Sequence, residues 1–254
     1  MTLFVDVVGN GPNLTMLHGW GLNGAVWNGV RDRLAERYTL HIIDLPGHGH
    51  SQGLRITTLG SMVDTVAEAM PKFSNLLGWS LGGQIALELA RLHAGHVGKL
   101  LLVATTPSFL QRENWPHAVL PTVLDDFGAR LSSNTALTIK RFLALQVLNQ
   151  PDMRNTVIQL QQAVTSRGNP NPVALAACLG LLRSTDLREY LADIAQPSLV
   201  LQGDHDALTP EPAGRWLADH LPNARYVMLA HAAHAPFVSH RDAFLRELDT
   251  FLNE

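Results

Sequence analysis

Cysteine is almost missing from this chain: Cys178 is the only one in 254 residues. That excludes a disulfide framework within the chain and any all-cysteine metal site, and it suits a reducing compartment. Cys178 itself reads as a small core side chain rather than a reactive thiol. Charge is also scarce, with Asp, Glu, Lys and Arg making up only 16% of the residues. Nineteen basic residues against 22 acidic ones leave a formal charge of −3. This balance excludes a strongly basic nucleic-acid binder and an acidic disordered segment. No apolar run approaches the roughly 18 residues of a membrane span. Residues 1–14 lack the basic flank and apolar core of a signal peptide. A cytoplasmic monomer is expected, in contact with neither membrane nor nucleic acid.

Apolar side chains, by contrast, make up 46% of the chain. At this length a single large core can bury roughly 70–75% of the unfolded surface. Short apolar runs at 14–17, 39–43, 73–79 and 99–104 alternate with amphipathic stretches of helical length at 26–37, 59–70 and 81–93. That alternation predicts a mostly parallel sheet flanked by helices, an α/β fold. From 110 to 185 the strand-like runs stop and helices are predicted at 117–131, 134–148, 152–165 and 172–182. Strands at 197–203 and 225–229 and helices at 211–220 and 241–251 then resume the alternation. The economical reading is one α/β domain, 1–109 and 186–254, carrying a helical cap insertion at 110–185. Charge divides along the same line. The insertion holds seven basic residues and four acidic ones, a net of +3, which leaves −6 for the remainder.

The strongest local signal is Gly78-Trp79-Ser80-Leu81-Gly82, a G-x-S-x-G placed between a predicted strand and a predicted helix. A serine on so sharp a turn is presented at the top of the sheet and at a helix N-terminus. There the Leu81 amide can bind a developing oxyanion. A serine nucleophile needs a base, and the base needs an orienting acid. His234, in Ala232-Ala233-His234-Ala235-Pro236-Phe237, follows the last predicted strand and is the candidate base; His231 is its rival. Asp206, after the strand ending at Gly203, is the candidate acid, with Asp204 as a turn-shaping alternative. The Trp20 amide in His18-Gly19-Trp20-Gly21 is the candidate second oxyanion donor, and His18 reads as a structural hydrogen-bonding residue. His48-Gly49-His50 lacks a third clustered ligand, so no metal and no cofactor are expected. Phe109, Trp115 and Phe142 either line an apolar pocket or pack the cap. Non-catalytic scaffolds usually lose a triad member; here all three are present, which favours an enzyme over a binding protein.

These residues, together with Asp44-Leu45-Pro46-Gly47-His48-Gly49-His50-Ser51, resemble the α/β-hydrolase superfamily over the whole chain. Within it, the chain is similar to the pimeloyl-acyl carrier protein methyl ester carboxylesterases of biotin synthesis. That likeness is carried by His18-Gly19-Trp20-Gly21-Leu22-Asn23, the Ser80 elbow, Arg141-Phe142-Leu143-Ala144-Leu145-Gln146 and the His234 loop. It implies a small acyl ester substrate tethered to acyl carrier protein. It also implies acyl-chain contacts from Trp20, Trp79 and Phe142, and carrier docking by the cap residues Arg141 and Arg154. Two further positions of that docking face carry Leu137 and Ile158 here. A Ser80 elbow argues against dehalogenases and epoxide hydrolases, which place Asp there. Short-acyl carboxylesterases, lactonases and carbon–carbon hydrolases share the same triad.

Overall fold

The computed structural model describes residues 2–54, 58–148 and 152–254. Its sheet has seven strands: β1 Val5–Val8, β2 Asn13–Leu17, β3 Thr39–Ile43, β4 Ser74–Trp79, β5 Val97–Val103, β6 Ser198–Gly203 and β7 Ala224–Leu229. In space they run β1-β3-β2-β4-β5-β6-β7. β1 is antiparallel to β3, and every other neighbouring pair is parallel. Leu14, Met16, Leu76, Leu77, Leu100, Leu102 and Val200 are all completely buried. Inner strands that are apolar on both faces require helices on both faces.

Ten α-helices are found among the described residues. They are α1 Asn28–Ala35, α2 Leu59–Ala69, α3 Leu81–Leu92, α4 Pro121–Ser133, α5 Thr135–Leu145, α6 Met153–Ser166, α7 Pro172–Ser184, α8 Glu211–His220, α9 Pro236–Ser239 and α10 Arg241–Asn253. α1 packs with α9 and α10, while α2 packs with α3, and α8 lies on β6 and β7. The four helices α4–α7 fall between β5 and β6 in the chain. Local chemistry sets their ends. Asn134 caps α5 by accepting from Leu137 N at 3.0 Å, and Asn171 caps α7 by accepting from Val173 N at 2.9 Å. Pro121 and Pro172 occupy first-turn positions, where a missing N–H costs nothing.

Two expectations shift. β1 escapes the sequence pattern because four half-exposed residues at a sheet edge carry too little periodicity. The helix predicted from 117 starts at Pro121, because the preceding loop is held otherwise. Trp115 Nε1 donates to Ser108 O at 2.8 Å, and Val119 N donates to Phe109 O at 3.0 Å.

Arg167, just past α6, joins the inserted helices to the sheet. It donates to Asp44 Oδ1 at 2.8 Å and to Asp6 Oδ2 at 3.2 Å, with its guanidinium 5.1 Å from the Phe4 ring centroid. Asp44 is wholly buried and also accepts from Gly24 N at 2.7 Å and His50 N at 2.9 Å. A buried carboxylate is tolerable only with such partners. The Asp44-Leu45-Pro46-Gly47 turn is thus an anchor for the segment between β5 and β6, and one of that segment's arginines is consumed inside the molecule. Asn23 adds a second tie, donating to Ala163 O at 2.8 Å. No helix among the described residues is long and apolar enough to cross a membrane.

Candidate active site

Ser80 sits between β4 and α3 with φ 56° and ψ −117°, outside the conformations L-residues prefer. Such a residue costs roughly 1–3 kcal/mol and persists only when its surroundings impose it. Here Ser80 N donates to Val103 O at 3.0 Å, and Ser80 O accepts from Gly83 N at 2.9 Å and Gln84 N at 3.2 Å. The turn also needs close backbone crossings. A Cβ on Gly82 would lie 2.5 Å from Leu17 O, and one on Gly78 would collide with Gly82 O. The two glycines of the motif are therefore steric requirements of the turn.

The structure brings His234 and Asp206 together. Nδ1 of His234 is 2.7 Å from Asp206 Oδ2, and both side chains are essentially inaccessible, at 1% and 0% exposure. A carboxylate only accepts, so Nδ1 carries the proton and Nε2 keeps the lone pair a base requires. Asp206 is surrounded by donors. Oδ2 also accepts from Thr209 Oγ1 at 2.7 Å and Gln202 Nε2 at 2.9 Å. Oδ1 accepts from Leu208 N at 2.8 Å and Thr209 N at 2.9 Å. The turn-shaping bonds considered for Asp204 are thus made by Asp206 itself. Gln202 and Thr209 were not anticipated. The available signal was a glutamine near the end of a fully buried, mostly apolar strand, four residues before Asp206. The rival His231 is exposed and does not line the cavity that Ser80 and His234 share.

The loop 18–21 packs directly against Ser80. A Cβ on Gly19 would lie 3.4 Å from Ser80 Cβ. His18 is structural, as expected: Nε2 accepts from Leu45 N at 3.0 Å, so Nδ1 carries the proton and donates to Gly19 O at 2.8 Å. Burial, reinforced by neighbouring His48, lowers its pKa to about 3. His18 is then neutral in the fold but protonates near pH 6.5 when unfolded. The unfolded chain binds more protons between those values, so His18's contribution is whole above pH 6.5 and is lost as the pH falls toward 3. His48, also lowered by burial, acts in the same direction. Between pH 6.5 and 4.5 this linkage removes about 2 kcal/mol through His18 alone. Urea unfolding midpoints should drop over that range; a midpoint flat across it would contradict the assignment.

Leu81 is the first residue of α3, where helix geometry leaves an amide without an intrahelical acceptor. Trp20 is anchored by its indole, which donates to Leu175 O at 2.9 Å in α7, and it meets Phe127 and Phe142 edge-on at 5.3 and 5.0 Å. These rings wall a largely apolar cavity of about 490 Å³ that Ser80 and His234 both line. Phe109 belongs to the same wall. Trp115 does not: it packs edge-on against Trp216 at 4.9 Å in a separate small cluster. Trp79 also stays off the cavity wall. It is 1% exposed, and its indole N–H donates to His234 O at 2.8 Å, so it holds the histidine loop.

Arg141 on α5 and Arg154 on α6 are exposed, as are Leu137 and Ile158. Three of the seven basic residues at 110–185 are engaged elsewhere: Arg112 with Asp186, Arg167 with Asp44 and Asp6, and Arg183 with Asp125. His48 and His50 turn to separate partners, Pro46 O and the Phe4 ring. Cys178 is completely buried in α7, and burial pushes its thiol up to about 12. It is a core side chain.

The sequence profile of the alpha/beta hydrolase fold family matches residues 12–241. The pimeloyl-acyl-carrier-protein methyl ester esterase of Chromobacterium violaceum is 42% identical over 248 residues, 98% of this chain and 97% of its own. The protein of the same name from Nitrosomonas europaea is 38% identical over 248 residues, 98% of each chain. Among solved structures, an esterase from Exiguobacterium antarcticum superposes with a TM-score of 0.90 over 99% of this chain and 96% of its own. At 23% identity that last likeness concerns the fold.

Proposed function

The chain belongs to the alpha/beta hydrolase fold family, and on that premise we propose that it is a serine carboxylesterase of biotin synthesis. Its substrate on this reading is the methyl ester of a pimeloyl chain tethered to acyl carrier protein, the substrate in the names of its relatives. The observation that carries the reading is the 2.7 Å Asp206–His234 contact beside an apolar cavity that His234 shares with Ser80. At about 490 Å³ the cavity lies within the roughly 300–1,000 Å³ of small-molecule sites.

Ser80 Oγ attacks the methyl ester carbonyl while His234 Nε2 takes its proton. The amides of Trp20 and Leu81 bind the oxyanion. The carbon–oxygen bond to the methoxy group breaks, and methanol leaves with the proton from His234. Water, deprotonated by the same nitrogen, then attacks the acyl-serine. It frees the carboxylate and returns Ser80. Asp206 holds the imidazole tautomer throughout. Phe142 and Trp20 flank the methylene chain, and Trp79 acts through the His234 loop.

On this reading residues 110–185 form a cap over the domain made by 1–109 and 186–254. Arg141 and Arg154 meet the acidic carrier protein, in the cytoplasm. Arg130 and Lys140 are exposed on the same segment. Docking by so few charges is weak and salt-sensitive. Turnover of carrier-bound methyl pimeloyl ester should exceed that of a nitrophenyl butyrate in kcat/KM. Its KM should rise with ionic strength while that of the small ester stays constant. Equal efficiency on both, with no salt response, would overturn the carrier protein's part in the reading.

A further inference from the structure

Asp204, His205 and His231 do not line the cavity that Ser80 and His234 share. Asp204 and His205 follow β6 and immediately precede Asp206. His231 follows β7, three residues before His234. Twenty-six positions separate His205 from His231, which hides the grouping from any reading of sequence spacing. In the fold, ligand atoms of all three lie within 4.8 Å of one another, and among the described residues no other His, Cys, Asp or Glu group converges in this way. The two imidazoles stand edge to face at 5.5 Å. The backbone already brings the loops together, with His205 N donating to Ala232 O at 2.9 Å.

A second observation points to a ligand. Asp204 Oδ1 is buried and meets no hydrogen-bond donor. A buried carboxylate oxygen without a partner is costly, and the same carboxyl group is the one that converges with the two imidazoles. A fourth imidazole stands nearby: His240, at the start of α10, is close enough for Asp204 and His231 to act on its charge.

We propose that Asp204, His205 and His231 form a binding site for a divalent transition-metal cation of the zinc class. Two imidazoles and one carboxylate are the donors such ions favour, whereas magnesium and calcium take oxygen ligands. Bonds of about 2.0–2.1 Å in a tetrahedral site place donor atoms about 3.4 Å apart. The three side chains therefore close slightly around the ion; His205 and His231 are both exposed. The donors bring a net charge of −1, and water completes the shell. An ion held there ties the Asp206 loop to the His234 loop, and this holds whether or not the esterase reading does.

Calorimetric titration of the full chain with Zn²⁺, alongside His205→Gln and His231→Asn, tests the site. Asn is chosen because it tolerates the φ of 63° at position 231. Wild type should bind one Zn²⁺ per chain with a rise in Tm. Each variant should bind at least tenfold more weakly and lose that rise, and Mg²⁺ should give no response in any of them. Absence of Zn²⁺ binding by wild type, binding unchanged by either substitution, or equal uptake of Mg²⁺ would overturn the proposal.

Discussion

Ser80→Ala is expected to lower kcat for ester hydrolysis by about 10⁴-fold or more while the protein stays folded. On the proposed mechanism the substitution removes the attacking atom and leaves the other groups in place. What survives comes from the oxyanion amides and from binding, which alone retain roughly 10³–10⁴ over water. The fold should hardly notice. Among the described residues no hydrogen bond involves Ser80 Oγ, and the bonds that impose φ 56° are made by the backbone. The unfolding free energy should therefore move by less than about 0.5 kcal/mol. Steady-state turnover and thermal unfolding on the same preparation read both quantities. Near-wild-type turnover would remove Ser80 from the mechanism.

Asp206→Asn should lower kcat by a comparable factor, on the order of 10⁴. Five donors converge on this carboxylate. An asparagine amide offers one accepting oxygen and one donating nitrogen, so either orientation sets donor against donor. With nitrogen toward His234, the imidazole must accept at Nδ1, and the proton moves to Nε2, where the base should be. With nitrogen the other way, it opposes the amides of Leu208 and Thr209. A cost of about 1–3 kcal/mol in stability accompanies either arrangement. Unfolding measurements separate that loss from the kinetic one, because at assay temperature the variant remains folded. An unchanged kcat would mean that the 2.7 Å contact does not set the histidine's protonation.

Much of this was legible in the sequence, for reasons that differ by element. β2, β4, β5 and β6 announced themselves because a strand covered on both faces is mostly apolar along its length. The elbow was legible because its two glycines answer a local steric demand that no other residue meets. His234 and Asp206 followed from loop position after particular strands. What stayed hidden depends on long-range geometry. Gln202 and Thr209 matter only because β6 and the loop after it fold around Asp206. Trp79 resembles an acyl-chain contact by motif, yet its indole turns to His234 O and away from the cavity. The net charge of +3 at 110–185 reads as a basic surface until Arg112, Arg167 and Arg183 are seen to be paired. Arg167 in particular spends its charge on Asp44, 123 residues earlier in the chain.

The most direct test of the esterase mechanism is to identify the products of one complete turnover on methyl pimeloyl-acyl carrier protein. One methanol should be released for each carrier that retains a pimeloyl chain ending in a free carboxylate, with the thioester intact and no reaction by Ser80→Ala. Release of the acyl chain from the carrier without methanol, or the same products from Ser80→Ala, would contradict it.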